Sequence, residues 1–281
     1  MPESVFRPLR LIPDRKSSPE VGGYLMRHLV FGMFIYLVSL AICWLPESRA
    51  GVPTDSLWLK AVDLSEVNDD LVPGSMRMHM QEMDKHGMPK DEDKYYEYWS
   101  RLFLGEDGEV SFETIKVIEN GKDITEEEKA KEQDREDNED EDDESESHSM
   151  ERYSPFDSEK QERMSVARID TIEIVNGRDA VPFEFTEQTA DEKVIRGTAW
   201  LEASSGVPIR VEYTTDPLPK RVKSMVTTLE YEAAGPDSLI VRAMSVKASG
   251  GFLFIKKHFQ MDMTFADYWR LPEDYEADEA E

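Results

Sequence analysis

The chain holds a single cysteine, Cys43, among its 281 residues. A lone thiol forms no intrachain disulfide and cannot build a zinc site on cysteines. Histidine is almost as scarce: His28, His79, His86, His148 and His258 are all there are. None stands in an HxxxH pair or beside a nucleophile elbow, and no Gly-rich phosphate loop is present. Positive charge is short too, with 33 Lys+Arg against 60 Asp+Glu and a net charge of −27. That balance excludes a nucleic-acid binder driven by phosphate neutralisation and argues against a basic face held on anionic lipid. Carboxylates abound, yet a catalytic pair needs a defined separation that sequence does not supply. Without positioned groups of the kind an active site uses, the sequence reads as non-catalytic, with no cofactor.

What is present is apolar enough to fold. Hydrophobic residues make up 39% and aromatics 10%, sufficient for one sizeable core. Residues 29–45 (LVFGMFIYLVSLAICWL) carry no charge, follow Arg27 and His28, and precede Ser48-Arg49-Ala50. A basic leader, an apolar run and an S-x-A site read as a signal peptide over 1–50, cleaved after Ala50, with Met26 as an alternative start. The competing reading is an uncleaved anchor, since 17 apolar residues sit at the lower limit for spanning a bilayer. The expected compartment is the periplasm, where a mature chain without cysteine needs no disulfide machinery.

One segment stands apart. Residues 126–151 hold fifteen acidic and three basic side chains and no aromatic or branched aliphatic one. Such a stretch buries too little apolar area to offset its ordering entropy. A solvated helix from Thr125 to about Arg135, capped by Thr125 with Glu128 three residues on, is expected at its start, with disorder beyond Asp137. It lacks the Gly and the spaced ligands of an EF-hand loop. The acidic tail at 273–281 is set aside as well.

The flanking parts, 51–125 and 152–272, read as one β-domain. A short helix is expected at 55–65, and strands at 95–104 and 109–118 about a Gly105–Gly108 loop. Further strands are expected at 164–175 and 180–187 about Asn176-Gly177, at 193–203 and 207–215 about Ser204–Gly206, and at 220–232, 238–248 and 252–265, the last two parted by Gly250-Gly251. The fold class expected is mainly β: a curled antiparallel sheet or incomplete barrel with few helices, plus the disordered insert.

Alternation marks a dry face. Val207, Ile209, Val211 and Tyr213 oppose Arg210, Glu212 and Thr214; Phe259, Met261, Met263 and Phe265 oppose His258, Gln260, Asp262 and Thr264; Phe183 and Phe185 oppose Glu184 and Thr186. With Leu201, Leu253 and Ile255 these residues could line a ligand cavity, or form an ordinary closed core. Met76, Met78, Met80, Met83 and Met88, near His79 and His86, are soft donors suited to Cu(I), although alternation makes Met76, Met78 and Met80 equally good core fillers.

Gly197-Thr198-Ala199-Trp200-Leu201, Ser205-Gly206-Val207-Pro208-Ile209, Leu218-Pro219 with Lys220 through Met225, and the earlier Glu119–Thr125 and Ser154–Asp157 resemble exported lipoprotein-sorting proteins, relatives of the carriers LolA and LolB. The resemblance covers about residues 95–270 as turn-and-strand phrases. It implies an incomplete β-barrel enclosing an apolar cavity for acyl chains, and hence a periplasmic carrier whose partner is a lipid or lipoprotein acyl chain. Two other jobs stay open: an envelope interaction module engaging membrane proteins through its sheet and acidic arm, and Met-rich copper binding.

Overall fold

The structure is a computed structural model and describes residues 55–68, 70–105, 110–136, 153–190, 193–235, 238–252 and 255–272. The expected signal peptide, the acidic run beyond Asp137, residues 106–109 at the expected Gly105–Gly108 loop and the acidic tail lie outside the described residues.

The chain enters through α1 (Ser56–Glu66). Asp55 caps it, its carboxylate accepting from the Leu57 amide at 2.8 Å. Trp58, Ala61 and Val62 fall at i, i+3 and i+4 and are its buried residues, so one narrow stripe faces the sheet. Strands β1 (Leu71–Val72), β2 (Ser75–Met83), β3 (Tyr95–Leu104), β4 (Val110–Glu119) and β5 (Lys122–Asp123) follow, then α2 (Thr125–Glu136). A 3-10 turn, Ser158–Arg163, leads into β6 (Met164–Arg168), β7 (Glu173–Val175), β8 (Arg178–Gln188), β9 (Val194–Glu202), β10 (Pro208–Asp216), β11 (Val222–Gly235), β12 (Ser238–Phe252), β13 (Ile255–Ala266) and β14 (Trp269–Arg270). Among the described residues no helix is long and apolar enough to cross a membrane.

Twelve strands form one antiparallel sheet in the order β5-β4-β3-β2-β13-β12-β11-β10-β9-β8-β6, with β7 also on β8. The sheet does not close into a barrel; β5 lies at one edge, and β6 and β7 at the other. The expected mainly β, unclosed architecture is therefore what forms. The N-terminal strands join the meander where β2 pairs with β13, placing Met80 opposite Met261 and Met78 opposite Met263. One apolar cluster reaches from Phe183 on β8 to Leu239 on β12.

Four local expectations are corrected. Residues 164–175 form two strands, β6 and β7, both laid on the longer β8. Gly250 and Gly251 stay in β12, paired with Lys257 and Lys256. Gly250 is required by close approach, because a Cβ there would stand 2.6 Å from the Arg221 carbonyl oxygen. Thr125 does not cap α2 through its hydroxyl: that oxygen accepts from the Val117 amide at 2.9 Å and donates to Asp123 at 2.6 Å, tying the helix start to β4. Finally, a bulge between Pro208 and Arg210 in β10 breaks the alternation around Ile209. The Asn176-Gly177 turn forms with both residues at positive φ, 51° and 75°, as a two-residue hairpin requires.

Candidate functional site: the dry face of the sheet

Directly opposed residues of antiparallel strands share a face, so the register defines this one. One row runs Val117, Tyr98, Met78, Met263, Met244, Leu229, Val211, Ala199 and Phe183, from β4 to β8. The next runs Met80, Met261, Val246, Thr227, Tyr213, Gly197 and Phe185. A single apolar surface thus crosses nine strands.

Its β8–β12 half is covered by the chain itself. The fully buried Trp58 of α1 lies 5.0 Å from the Phe156 ring, 5.7 Å from Phe183 and 6.2 Å from Phe185. Its indole N–H donates to the buried Gln161 at 2.8 Å, and Gln161 donates in turn to the carbonyls of Pro155 and Asp157 at 3.0 and 2.6 Å. The helix and the segment from Tyr153 to Arg163 are thereby seated as one unit. Phe183, Phe185, Leu201 and Val211 sit under this cover at 0–2% exposure. Tyr213 packs beside them, 4.7 Å from the Tyr153 ring; burial pushes its phenol up to about 12 against a hydrogen bond to Thr227. The glycine at 197 makes room for the Phe185 ring, since a Cβ there would lie 2.6 Å from it.

The β2–β13 half is lined by methionines and is buried as well, Met76, Met80, Met261 and Met263 all being core residues. Met76, Met78 and Met80 meet Phe265, Met263 and Met261 across the strand pair. Flexible, polarizable thioethers adapt to whatever lies on them. Alternation sends Met83 and His79 to the opposite face, where His79 stacks on Tyr95 and faces Glu97 at 3.3 Å, and Met88 is exposed. The methionines and histidines of the copper reading are therefore not brought together. Among the described residues no group of three His, Cys, Asp or Glu is placed to hold a metal.

Phe259 is half-buried at one end of the face, opposite Glu82, with the Lys257 ammonium 5.8 Å from its ring centre. Burial acts to raise the Glu82 carboxyl, but hydrogen bonds from Lys90 at 2.6 Å and Lys257 at 3.2 Å outweigh it and hold it below the usual range. Toward β4, Tyr98 bonds Thr114 at 2.8 Å and the Thr114 hydroxyl donates to Glu132 of α2 at 2.9 Å, anchoring that helix.

The structure does not gather every expected residue. Ile209 joins a separate cluster with Val175, Ala180 and Trp200, away from Val211. Leu253 lies outside the described residues, and of Ile255 only the strand backbone is described, paired with Phe252. Trp58, Phe156, Leu229, Tyr231 and Met244 were not anticipated. Trp58, Ala61 and Val62 carried a readable helical stripe; Phe156 sat in a segment without periodicity. A buried carboxylate, Glu187, was also missed, although alternation from Phe183 and Phe185 puts it on their face. Two open depressions, of about 510 Å³ beside Trp99 and Trp269 and about 610 Å³ beside Ile115 and Ile124, lie elsewhere, and of the dry face only Met76 borders one.

No family model matches the chain, and no curated protein matches it. Among solved structures it is similar to an outer membrane lipoprotein-sorting protein domain from Vibrio parahaemolyticus, at 12% identity and TM-score 0.32 over 78% of this chain and 95% of that one. It is also similar to a LolA superfamily protein from Nitrosomonas europaea, at 9% identity and TM-score 0.30 over 81% and 95%. The MucA/MucB complex of Pseudomonas aeruginosa follows at 9% identity and TM-score 0.22 over 76% and 98%. Likenesses this loose transfer no residue role to the chain.

Proposed function

We propose that the protein is a non-catalytic periplasmic carrier that holds a lipid or lipoprotein acyl chain against the dry face of its sheet. The observation that supports this is an apolar face crossing nine strands, buried at its β2–β13 end as well, whose β8–β12 half is covered by no more than the narrow stripe of α1 and the Tyr153–Arg163 segment. A cover made of Trp58, Ala61, Val62 and Phe156 is small enough to exchange for a ligand. Each buried methylene contributes about 0.8 kcal/mol, so about ten of them offset the re-exposure of two aromatics and two aliphatics, each costing about 1–3 kcal/mol. An exchange so nearly balanced is reversible, as carrying requires.

In this reading α1 is a removable lid, Phe183, Phe185, Leu201 and Val211 are the wall it protects, and the buried methionines Met76, Met80, Met261 and Met263, with Met78, repack around the chain beyond it. Export rests on the sequence of residues 1–50. Organic extraction of the purified protein followed by mass spectrometry tests the proposal: a stoichiometric acyl lipid is expected. Clean protein that also fails to bind a fluorescent fatty-acyl probe refutes it.

A second reading has its own observation. Phe103, Leu104 and Phe112 are 41%, 37% and 56% exposed at the end of the β3–β4 hairpin, beyond the Ser75–Arg101 pair where β2 begins. Such an apolar projection suits contact with an envelope protein. Lipid-free material that co-purifies with a polypeptide, and loses it on Phe112→Ser, would favour this role over the carrier.

A further inference from the structure

Three buried polar atoms without a partner gather at one place in the core. Glu187 on β8 is 2% exposed, stands between Met164 and Ile195 in the register, and has one carboxylate oxygen without a partner. The Arg163 Nε is buried and unpartnered as well, and the Tyr153 hydroxyl faces the Glu187 carboxylate without forming a well-aligned hydrogen bond, among the described residues. All three lie where the Tyr153–Arg163 segment meets the sheet. The charged and titratable groups facing Glu187 are Tyr153, Asp157, Lys160 and Arg163 of that segment. Tyr213 of β10 and Tyr231 of β11 adjoin through Tyr153. Lys160 is engaged by Asp157 at 3.0 Å, and Arg163 approaches Glu187 only to 3.7 Å, so the carboxylate is poorly compensated when ionised. A half-satisfied buried network is a weak point in an interface.

We propose that Glu187 is a proton-operated latch on the cover: protonated, it seats the Tyr153–Arg163 segment and with it α1; ionised, it loosens both. Phe156 packs on Trp58 and Gln161 accepts its indole N–H, which couples the segment to α1 mechanically. Burial raises the Glu187 carboxyl above its usual range, against Tyr153, Lys160 and Arg163, which act to lower it. The closed cover therefore binds this proton more tightly than the open one. Its contribution is fully present below the ordinary glutamate range and is lost as pH rises through Glu187's own, higher value. What the opening serves rests on the carrier reading; the latch itself does not need a ligand.

Amide hydrogen exchange of residues 56–66 and 153–164, corrected for intrinsic rates, tests it on the full protein without lipid. In the parent, opening should increase with pH by up to about tenfold per unit across that window. Glu187→Gln should flatten the profile at the protected level, and Arg163→Met should steepen it. An unchanged slope in Glu187→Gln, or opening that grows on acidification in the parent, overturns the latch. Should either variant fail to fold, carboxyl NMR of the parent decides: Glu187 titrating at or below the ordinary glutamate range also overturns it. Absent acyl-probe binding would sink the carrier and leave the latch standing, whereas a flat exchange profile with probe binding intact would do the reverse.

Discussion

Replacing Trp58 with alanine separates a lid from a core. The indole is fully buried against three aromatic rings and donates to the buried Gln161 at 2.8 Å. In a permanently closed core, a Trp→Ala truncation costs about 3–5 kcal/mol, and a stranded Gln161 oxygen adds about 1–3 kcal/mol. If α1 and the Tyr153–Arg163 segment open as a unit while the sheet stays folded, the loss is capped. Once the cover is off, its contacts no longer count, so destabilisation cannot exceed the free energy of opening, which for a local event lies below the global stability. Denaturant unfolding of Trp58→Ala should therefore show a shift no larger than that free energy. Exchange protection at 56–66 should vanish, and affinity for a fluorescent acyl probe should rise, because the competing cover is weakened. Loss of the full 5 kcal/mol or so with exchange protection falling evenly through β8–β12, and no change in probe affinity, would refute the reasoning: the helix would then be an ordinary part of the core.

Val211→Ala and Ile209→Ala form a matched pair: both residues are fully buried, so the first should destabilise by about 1–3 kcal/mol and the second by about 2–5 kcal/mol in thermal unfolding, but only Val211→Ala should alter probe affinity, since Ile209 packs in a separate cluster. Phe259→Ala, at the half-buried end of the face, should shift the melting temperature little while weakening probe binding; a large shift without a binding change would make Phe259 structural. Gly197→Ala drives a methyl into the Phe185 ring and the Glu212 carbonyl, and should cost about 1–3 kcal/mol by chemical denaturation; a neutral result would show that Phe185 is free to move. The Glu82 carboxyl, held low by Lys90 and Lys257, contributes stability present above the usual glutamate value and lost as pH falls through its own lower one. Lys90→Met should flatten that acid limb of the stability–pH curve.

The sequence by itself determined the elements and the wet–dry alternation. Tyr95–Leu104 formed as read, the Asn176-Gly177 turn is where two positive-φ residues were called for, and α1 falls within a residue of its expected span. These features follow from side-chain period and turn chemistry, which are local and so legible along the chain. Tertiary structure decided what the dry face touches. That β2 lies on β13, bringing Met78 and Met80 against Met263 and Met261, is a long-range pairing no local period encodes. The bulge that puts Ile209 with Trp200 depends on register with β9, and alternation alone assigned it wrongly to the side of Val211. Whether Phe183 and Phe185 stood open or covered was likewise invisible, because Trp58 and Phe156 reach them from segments far away in sequence. Glu187 is the sharpest case. A carboxylate reads as solvent-facing by its chemistry, although the period of two puts Glu187 on the side of Phe183 and Phe185; the packing of Tyr153 and Arg163 over it removes the water that would have kept it ordinary.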